Sequence, residues 1–570
     1  MKLSKERPKH MHNRSHTPPA FVRTSLTIVS SLLLLSALEA TSALHAAEPD
    51  APSSLITKED ALEYQLITKV KKINAGKTEY DRKIVAGLEN FYLKHGRKPV
   101  WLTTDGLTPN AKKAIEVIKN GYEYGLNTHT IKIPTSHDIA SNQADAELAL
   151  SKAILTYAKQ AKAGNLNPQN VSRFLDNTPE YPEPFDVLSN IAAAKDPQKT
   201  LLSYHPTHPQ FWALKKQLDK IRNKKGKEKP QVRIPAGGVI RPYDRHPHIT
   251  LLRERLNVQV PTPNGTPLYP ETIYDSALIS AVKEFQAANG LRATGIINRS
   301  TRAKFNKRKP NMEKKILANM ERWRWMPQDF GRTHIRVNIP EFLVRVTKND
   351  KVIHTERVIT GKRSQKTPSF SDEMETVVLN PYWNVPQSII WNEMGGVAPR
   401  GYESRVVGGR IYIRQPPGPR NALGRVKFLF PNKHSVYLHD TPTKNLFNRK
   451  VRAFSHGCMR LRNPMKMAEI VLAENGLSPK TIHARAARGR NDHIPLKNKI
   501  PVHVTYFTLW ASPEGSLSQF NDIYGHDKRV SLALEGRPLG LEPRQRVNRK
   551  PIPMVKKKKK NPGFVTFFFN

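Results

Sequence analysis

Apolar residues recur at helical spacing through the first third of the chain and at alternate positions through its second half. Ile84, Leu88 and Phe91 form one helical stripe, and Ala114, Ile115, Val117 and Ile118 form another that stops before Gly125. Leu148, Ile154, Leu155, Tyr157 and Ala158 mark a long amphipathic helix closed by Gly164-Asn165, and Phe211, Leu214, Leu218 and Ile221 mark a fourth. The pattern predicts a helical domain over 56–223 with Phe91, Tyr92, Trp101, Tyr122 and Tyr157 in its core. The polar, basic stretch from Asn223 to Pro230 reads as a linker.

A compact unit is expected over 241–306. Leu251, Leu252, Leu256 and Val258 open it, and Tyr274, Leu278, Ala281, Val282 and Phe285 fall at helical spacing. A third helix is expected after Gly295, capped by Ser300-Thr301. A charged helix, 311–324, then leads into a change of period. The segments 333–338, 342–347, 352–360, 375–379, 410–414, 435–439 and 502–508 alternate as strands do, with a helix over 467–472. The whole reads as a multidomain α+β protein whose last domain, 311–525, is mainly β. Within it, 401–425, with Pro416-Pro417-Gly418-Pro419, is expected to be an irregular loop capping a groove.

Composition sharpens this. The 570 residues suffice for three or four domains of about 150 residues each. Lys and Arg number 93 against 48 Asp and Glu, a formal net charge of +45. Such a surface attracts polyanions: nucleic acid, anionic lipid or an acidic wall polymer. No zinc-finger spacing or RNA-recognition signature accompanies the charge, so no nucleic acid is expected. Residues 1–47 have the layout of a secretory signal: Lys2, Lys5, Arg7, Lys9, Arg14 and Arg23, then an apolar stretch from Leu26 to Leu38, then small residues. The apolar stretch falls short of the roughly 20 residues that span a bilayer. Export follows, with an uncleaved inner-membrane anchor as the alternative. The chain from 530 to 570 reads as a basic, disordered tail, with Lys556 to Lys560 suited to an anionic wall or membrane surface.

One cysteine, Cys458, occurs in the whole chain, inside Ser455-His456-Gly457-Cys458-Met459-Arg460. A lone thiol in an oxidising compartment invites unwanted intermolecular pairing, so its presence points to chemistry. A thiol needs a base to become a nucleophile, and two histidines are at hand, His456 and His439. The amides of Gly457 and Cys458 could line an oxyanion hole, and Arg460 and Arg462 could hold a carboxylate. One cysteine and two histidines leave a zinc site short of a ligand, and no metal or cofactor is expected.

His439, fifteen residues, then Ser455-His456-Gly457-Cys458-Met459-Arg460 resembles the signature of the L,D-transpeptidase (YkuD-like) catalytic domain. Asn380-Pro381-Tyr382-Trp383-Asn384-Val385-Pro386 and Tyr437-Leu438-His439-Asp440-Thr441-Pro442 agree. Ala281 to Gln286, Gly290-Leu291 and Gly295 to Thr301 resemble the peptidoglycan-binding domain type 1. With the helical region as a scaffold domain, the chain resembles the large periplasmic L,D-transpeptidases of Gram-negative bacteria. Asp440 stands where many members have Gly, and Arg460 where many have Asn.

The resemblance implies roles. Cys458 is the nucleophile attacking the third residue of a peptidoglycan tetrapeptide stem, and D-Ala leaves. His439 is the general base and acid, oriented by the Asp440 main-chain carbonyl. His456 shapes the site and polarises the thiol. Gly457 supplies an oxyanion amide, and Arg460, Ser455 and Tyr437 contact the stem. A second stem's amine resolves the thioester into a 3→3 cross-link, and carbapenems acylate the thiol. An L,D-carboxypeptidase or a lipoprotein-attaching transferase would share the acyl-enzyme. A non-catalytic wall-binding protein is the reading from another class.

Overall fold

The computed structural model describes residues 58–542 except 75, 77, 225–231 and 308–310. The expected signal segment, most of the basic tail and most of the 223–230 linker lie outside the described residues. The remainder forms an α+β molecule with a helical N-terminal region, a small helical unit and a β-rich C-terminal region.

The helical region is built on Lys58–Lys71, Glu79–Lys94, Pro109–Lys119, Gln143–Ala163, Pro184–Ala192 and Pro209–Lys224. Local chemistry sets several ends. Thr78 and Asp81 form a capping box, Thr108 caps a helix with Pro109 at its first position, and Gly164 ends the longest helix at φ 92°. Leu88, Phe91, Tyr92, Trp101, Ile154 and Tyr157 are buried together. Tyr122, expected in that core, is half exposed beneath the Arg222 guanidinium. Strands β1 (Leu102–Thr103) and β2 (Gly106–Leu107) form a short hairpin. The buried Glu147 carboxylate anchors it, accepting from the amides of Val100, Trp101 and Leu102.

The small unit packs His248–Leu256, Ser276–Ala288 and Arg299–Phe305 around Ile249, Leu252, Tyr274, Leu278, Val282 and Phe305. Its last helix is capped by the Asn298 side chain, which accepts from the Thr301 amide, so the cap falls before the Ser300-Thr301 pair expected.

The C-terminal region holds a nine-stranded sheet: β3 (Thr333–Asn338), β4 (Leu343–Lys348), β5 (Lys351–Gly361), β6 (Phe370–Leu379), β10 (Val426–Leu429), β11 (Leu438–His439), β12 (Ala453–Ser455), β13 (Met459–Leu461) and β14 (Asp492–Thr505). The order is β12-β5-β13-β11-β10-β6-β14-β3-β4, and a further β4–β5 pairing closes the sheet on itself. Closure removes the open edge that an isolated sheet would present. Ile335, Val337, Val344, Val358, Phe428, Leu438, Met459, Leu461, Val502 and Val504 fill the interior with helices Pro464–Ala473 and Pro479–Ala487 packed nearby.

Two expectations change. The segment after β6 is a small folded cap. Strands β7 (Trp383–Asn384), β8 (Glu403–Val407) and β9 (Arg410–Gln415) form a separate sheet, and Val385, Ile389, Ile390 and Ile413 give it a core. Its folded part begins before 401, because the apolar run Val385 to Ile390 seats against β9. Within 401–425 the long irregular stretch is 416–425, and β9 covers the strand expected at 410–414. The chain also stays folded past Val530. After the hairpin of β15 (Leu509–Ala511) and β16 (Leu517–Gln519), helix His526–Leu534 buries Val530 against Val171, Leu175, Ala318 and Trp325.

Helix Met312–Arg324 joins the regions. Its Ile316, Met320 and Trp323 pack with Phe211, Leu214 and Leu218 of the helical region and with Phe507 and Leu509. The Trp323 and Phe507 rings stack 4.3 Å apart. Removing the Trp323 ring leaves a cavity where these segments meet. Trp323→Ala is expected to cost about 3–5 kcal/mol of stability, read as a lower urea midpoint; an unchanged midpoint would show that this cluster does not hold the regions together.

Candidate active site

The site follows from strand pairing. His439 of β11 pairs with Arg460 of β13 in parallel register, and with Lys427 of β10 in antiparallel register. Directly paired residues share a face, so Lys427, His439 and Arg460 stand in one row. Their neighbours Phe428, Leu438, Met459 and Leu461 point into the core and are fully buried. Alternation therefore turns the row, with Tyr437 and Cys458 two residues earlier on their strands, toward the opposite face.

Cys458 lies at the head of β13 and is partly exposed. Its sulfur lies 3.9 Å from the Ser435 carbonyl oxygen. Burial pushes its pKa up, while hydrogen bonds from the Tyr437 amide and hydroxyl and the charges of Lys427 and Arg460 pull it down. Burial, and also the Cys458 charge, hold the Tyr437 phenol in its protonated form. His439 is buried. Its Nδ1 donates to the Asp440 main-chain carbonyl at 2.5 Å, which leaves Nε2 as the basic nitrogen. Burial first, then the Arg460 charge, lower its pKa to about 3, with Lys427 and Lys444 adding to the effect. The resting pair is thus a neutral thiol and a neutral imidazole.

Asp440 does more than lend its carbonyl. Its carboxylate accepts from the amides of Arg425 and Thr441 and pairs with Lys444, which also donates to the Arg462 carbonyl. The carboxylate can sit there because residue 424 is glycine. At φ 61°, a Cβ on Gly424 would overlap the Asp440 carboxyl. Asp440 therefore ties the end of the cap to the carbonyl that orients His439. On its flank a cavity of about 410 Å³ is lined by Lys444, Asn445, Asn448, Arg462 and Asn463.

Arg460 is partly buried, its Nε has no hydrogen-bond partner, and burial lowers its pKa. The remaining expected residues sit differently. Ser455 is 2% exposed, so it does not face a ligand; its hydroxyl donates to the Cys458 carbonyl. The Gly457 amide donates inward to Ser455 Oγ at 3.2 Å, and its carbonyl accepts from Thr367 Oγ1 at 2.6 Å. Gly457 earns its place by conformation, at φ 124°, rather than by offering a free amide. His456 turns to the cap: its Nε2 meets Glu393 Oε1 at 2.6 Å, with Lys362 Nζ 3.4 Å away. Lys427 and Glu393 were not singled out from the sequence; Lys427 is one charge in the apolar run Val426-Lys427-Phe428-Leu429, and only the register shows where it points. Among the described residues no group of three or more His, Cys, Asp or Glu is placed to hold a metal ion.

With this geometry in view, comparison with known proteins defines the class. Residues 332–481 match the family model of the L,D-transpeptidase catalytic domain. Residues 86–218 match a scaffold domain, and 245–305 match the family described as "Putative peptidoglycan binding domain". The chain thus carries an L,D-transpeptidase catalytic domain together with scaffold and peptidoglycan-binding domains. A curated Haemophilus influenzae protein named "Putative L,D-transpeptidase" is 32% identical over 248 residues, 39% of this chain and 50% of that protein. The match spans about half the length of that relative. Among solved structures, an L,D-transpeptidase from Mycobacterium smegmatis is 14% identical over 30% of this chain and 58% of its own, with a TM-score of 0.18. A mutant Enterococcus faecium L,D-transpeptidase is 14% identical over 31% of this chain and 50% of its own, with a TM-score of 0.15.

Two outcomes test the geometry. The His439 ring is expected to stay neutral, with its proton on Nδ1, between pH 5 and 8 in ¹⁵N-edited spectra, since its pKa is lowered to about 3; a midpoint near the ordinary 6.5 would contradict the buried, cation-flanked placement. Gly424→Ala is expected to displace the Asp440 carboxyl and shift the His439 ring resonances in the same spectra, with the fold retained by circular dichroism; unchanged resonances would mean that this contact does not position His439.

Proposed function

We propose that this protein is a peptidoglycan L,D-transpeptidase that works through a Cys458 thioester. The observation that carries the reading is the outward row of Lys427, His439 and Arg460 with the chain's one thiol beside it. As Cys458 Sγ attacks the carbonyl of the third stem residue, its proton passes to His439 Nε2 and a carbon–sulfur bond forms. Collapse breaks the bond to D-Ala, whose leaving amine takes the proton from His439. The side-chain amine of a second stem then attacks the thioester and gives up a proton through His439 to the departing sulfur. The product is a 3→3 cross-link.

Electrostatics support a base that the donor stem itself activates. After burial, the charge of Arg460 is the next cause of the low proton affinity of His439. A stem carboxylate seated on Arg460 neutralises that charge and raises the basicity of His439 where the proton must go. The unpaired Nε of Arg460 supports such a ligand. The peptidoglycan-binding domain supports a wall substrate. The basic leader and apolar stretch of residues 1–47 support export to the periplasm, cleaved or anchored, and the basic tail suits an anionic wall or membrane surface. An acylable thiol beside a basic row also suits carbapenem capture.

Incubation of the full chain with disaccharide-tetrapeptide, read by mass spectrometry, is expected to show loss of D-Ala and a cross-linked dimer, with both lost in Cys458→Ala. D-Ala release without a dimer would assign a carboxypeptidase, and transfer only to a lipoprotein lysine would assign an attaching transferase. An unchanged product profile in Cys458→Ala would overturn all three and leave the wall-binding reading.

A further inference from the structure

The Cys458 thiol feels Tyr437, Lys427 and Arg460, and of these neither Lys427 nor Tyr437 has a role in the reaction just described. Lys427 lies on β10, one strand beyond His439, in the row that ends at Arg460. Its ammonium stands 5.0 Å from the centroid of the Tyr437 ring. Tyr437 in turn precedes Leu438 as Cys458 precedes its strand partner Met459, and the Tyr437 carbonyl accepts from the Met459 amide at 3.1 Å, which sets Tyr437 beside the thiol. The Tyr437 and His439 rings meet edge to face at 5.6 Å. The groups facing this space are Lys427 from β10, Tyr437 and His439 from β11, Cys458 and Arg460 from β13, and Lys444 from the turn after β11. Among the described residues neither Lys427 nor Arg460 forms an ion pair with a carboxylate, and the opposite charge that each of them feels is that of Cys458.

A cation partly removed from water with no carboxylate beside it is costly unless some other negative charge forms there. The charge available is the sulfur's. A cation over the face of a phenol is attracted by the ring's electron density, and it draws density from the hydroxyl, making that O–H a stronger donor. Burial keeps the Tyr437 hydroxyl protonated, so it remains a donor.

We propose that Lys427 is a positioning residue of the reaction, which stabilises the Cys458 thiolate through the ring and hydroxyl of Tyr437. Lys427 makes no bond to the stem. It lowers the energy of the anionic sulfur at the moment His439 takes the proton, and again when the thioester breaks and the sulfur departs. The inference rests on Cys458 being the reacting group of the function proposed above.

The lone cysteine makes the test clean, since every thiol adduct reports Cys458. Iodoacetamide alkylation of the full chain, followed by intact mass from pH 6 to 10, gives the apparent thiol pKa without requiring turnover. Lys427→Met is expected to raise that value by about one unit, so alkylation below it slows about tenfold. Lys427→Arg is expected to restore the parental curve. In a Tyr437→Phe background, Lys427→Met is expected to add less than about a twofold further change. Superimposed curves for Lys427→Met and parent would overturn the proposal, as would an undiminished shift in the Tyr437→Phe background. Lys427→Gln takes the place of Lys427→Met should the latter lose its near-ultraviolet circular dichroism. The expected alkylation pattern with no cross-linked product would uphold the coupling of Lys427 to the thiolate and remove the function. Cross-linking with no Lys427 effect would do the reverse.

Discussion

The phase of three adjacent short strands carries the site. Phe428, Leu438 and Met459 must face inward, because they fill the closed sheet at full burial. Side chains alternate along a strand, so inward Leu438 forces His439 outward, inward Met459 forces Arg460 outward, and inward Phe428 forces Lys427 outward. A slip of one residue in any of them would put a charge in the core and an apolar residue on the face. The core therefore specifies the site's geometry through the burial of three apolar side chains that touch no substrate.

Much of this was legible in the chain, and the omissions have causes. Alternation marked β3, β4, β5 and part of β6 and β14, since each runs long enough to show a period. The thiol and its histidine stood out because cysteine is used once. Lys427 escaped notice because one lysine in a four-residue strand carries no period; only the pairing partner says which way it points. Ser455 and Gly457 looked available to a ligand, yet the left-handed turn at Gly457 folds their polar atoms back on the loop. Of the cap, alternation marks β9 at 410–414; its partners carry no such signal, β7 because it has two residues and β8 because all five of its residues are exposed. Tyr122 shows the converse: helical spacing placed it in the core, and the structure leaves it beside Arg222 on the surface.

The site's electrostatics are one-sided. Lys427, Arg460 and Lys444 surround a neutral imidazole, and the Asp440 carboxylate is occupied by Lys444 and two amides. In a less polar setting than water, such a cluster depresses the basicity of His439 while favouring an anion at sulfur or on a ligand. The cap adds a carboxylate at the loop that carries Cys458, Glu393, which meets His456 on the rim. The cap thus touches the loop that carries Cys458 through this contact.

The Glu321 carboxylate has a wider consequence. It lies at the end of the helix that precedes the catalytic sheet, buried, and accepts from Asn165 Nδ2 and the Leu166 amide of the helical region. Nearby, Leu175 bridges to Ser369, with two main-chain hydrogen bonds at 2.8 Å between the regions. The family match for the catalytic domain runs from 332 to 481, which omits this helix and β14 of the same sheet. The stretch that is copied between proteins is therefore not the stretch that folds here. A gene fragment cut at the family boundaries would lack a strand of the closed sheet, and one begun at residue 312 would expose Glu321 without its partners. The module of inheritance and the unit of cooperativity have different borders in this chain, and the second extends back into the helical region.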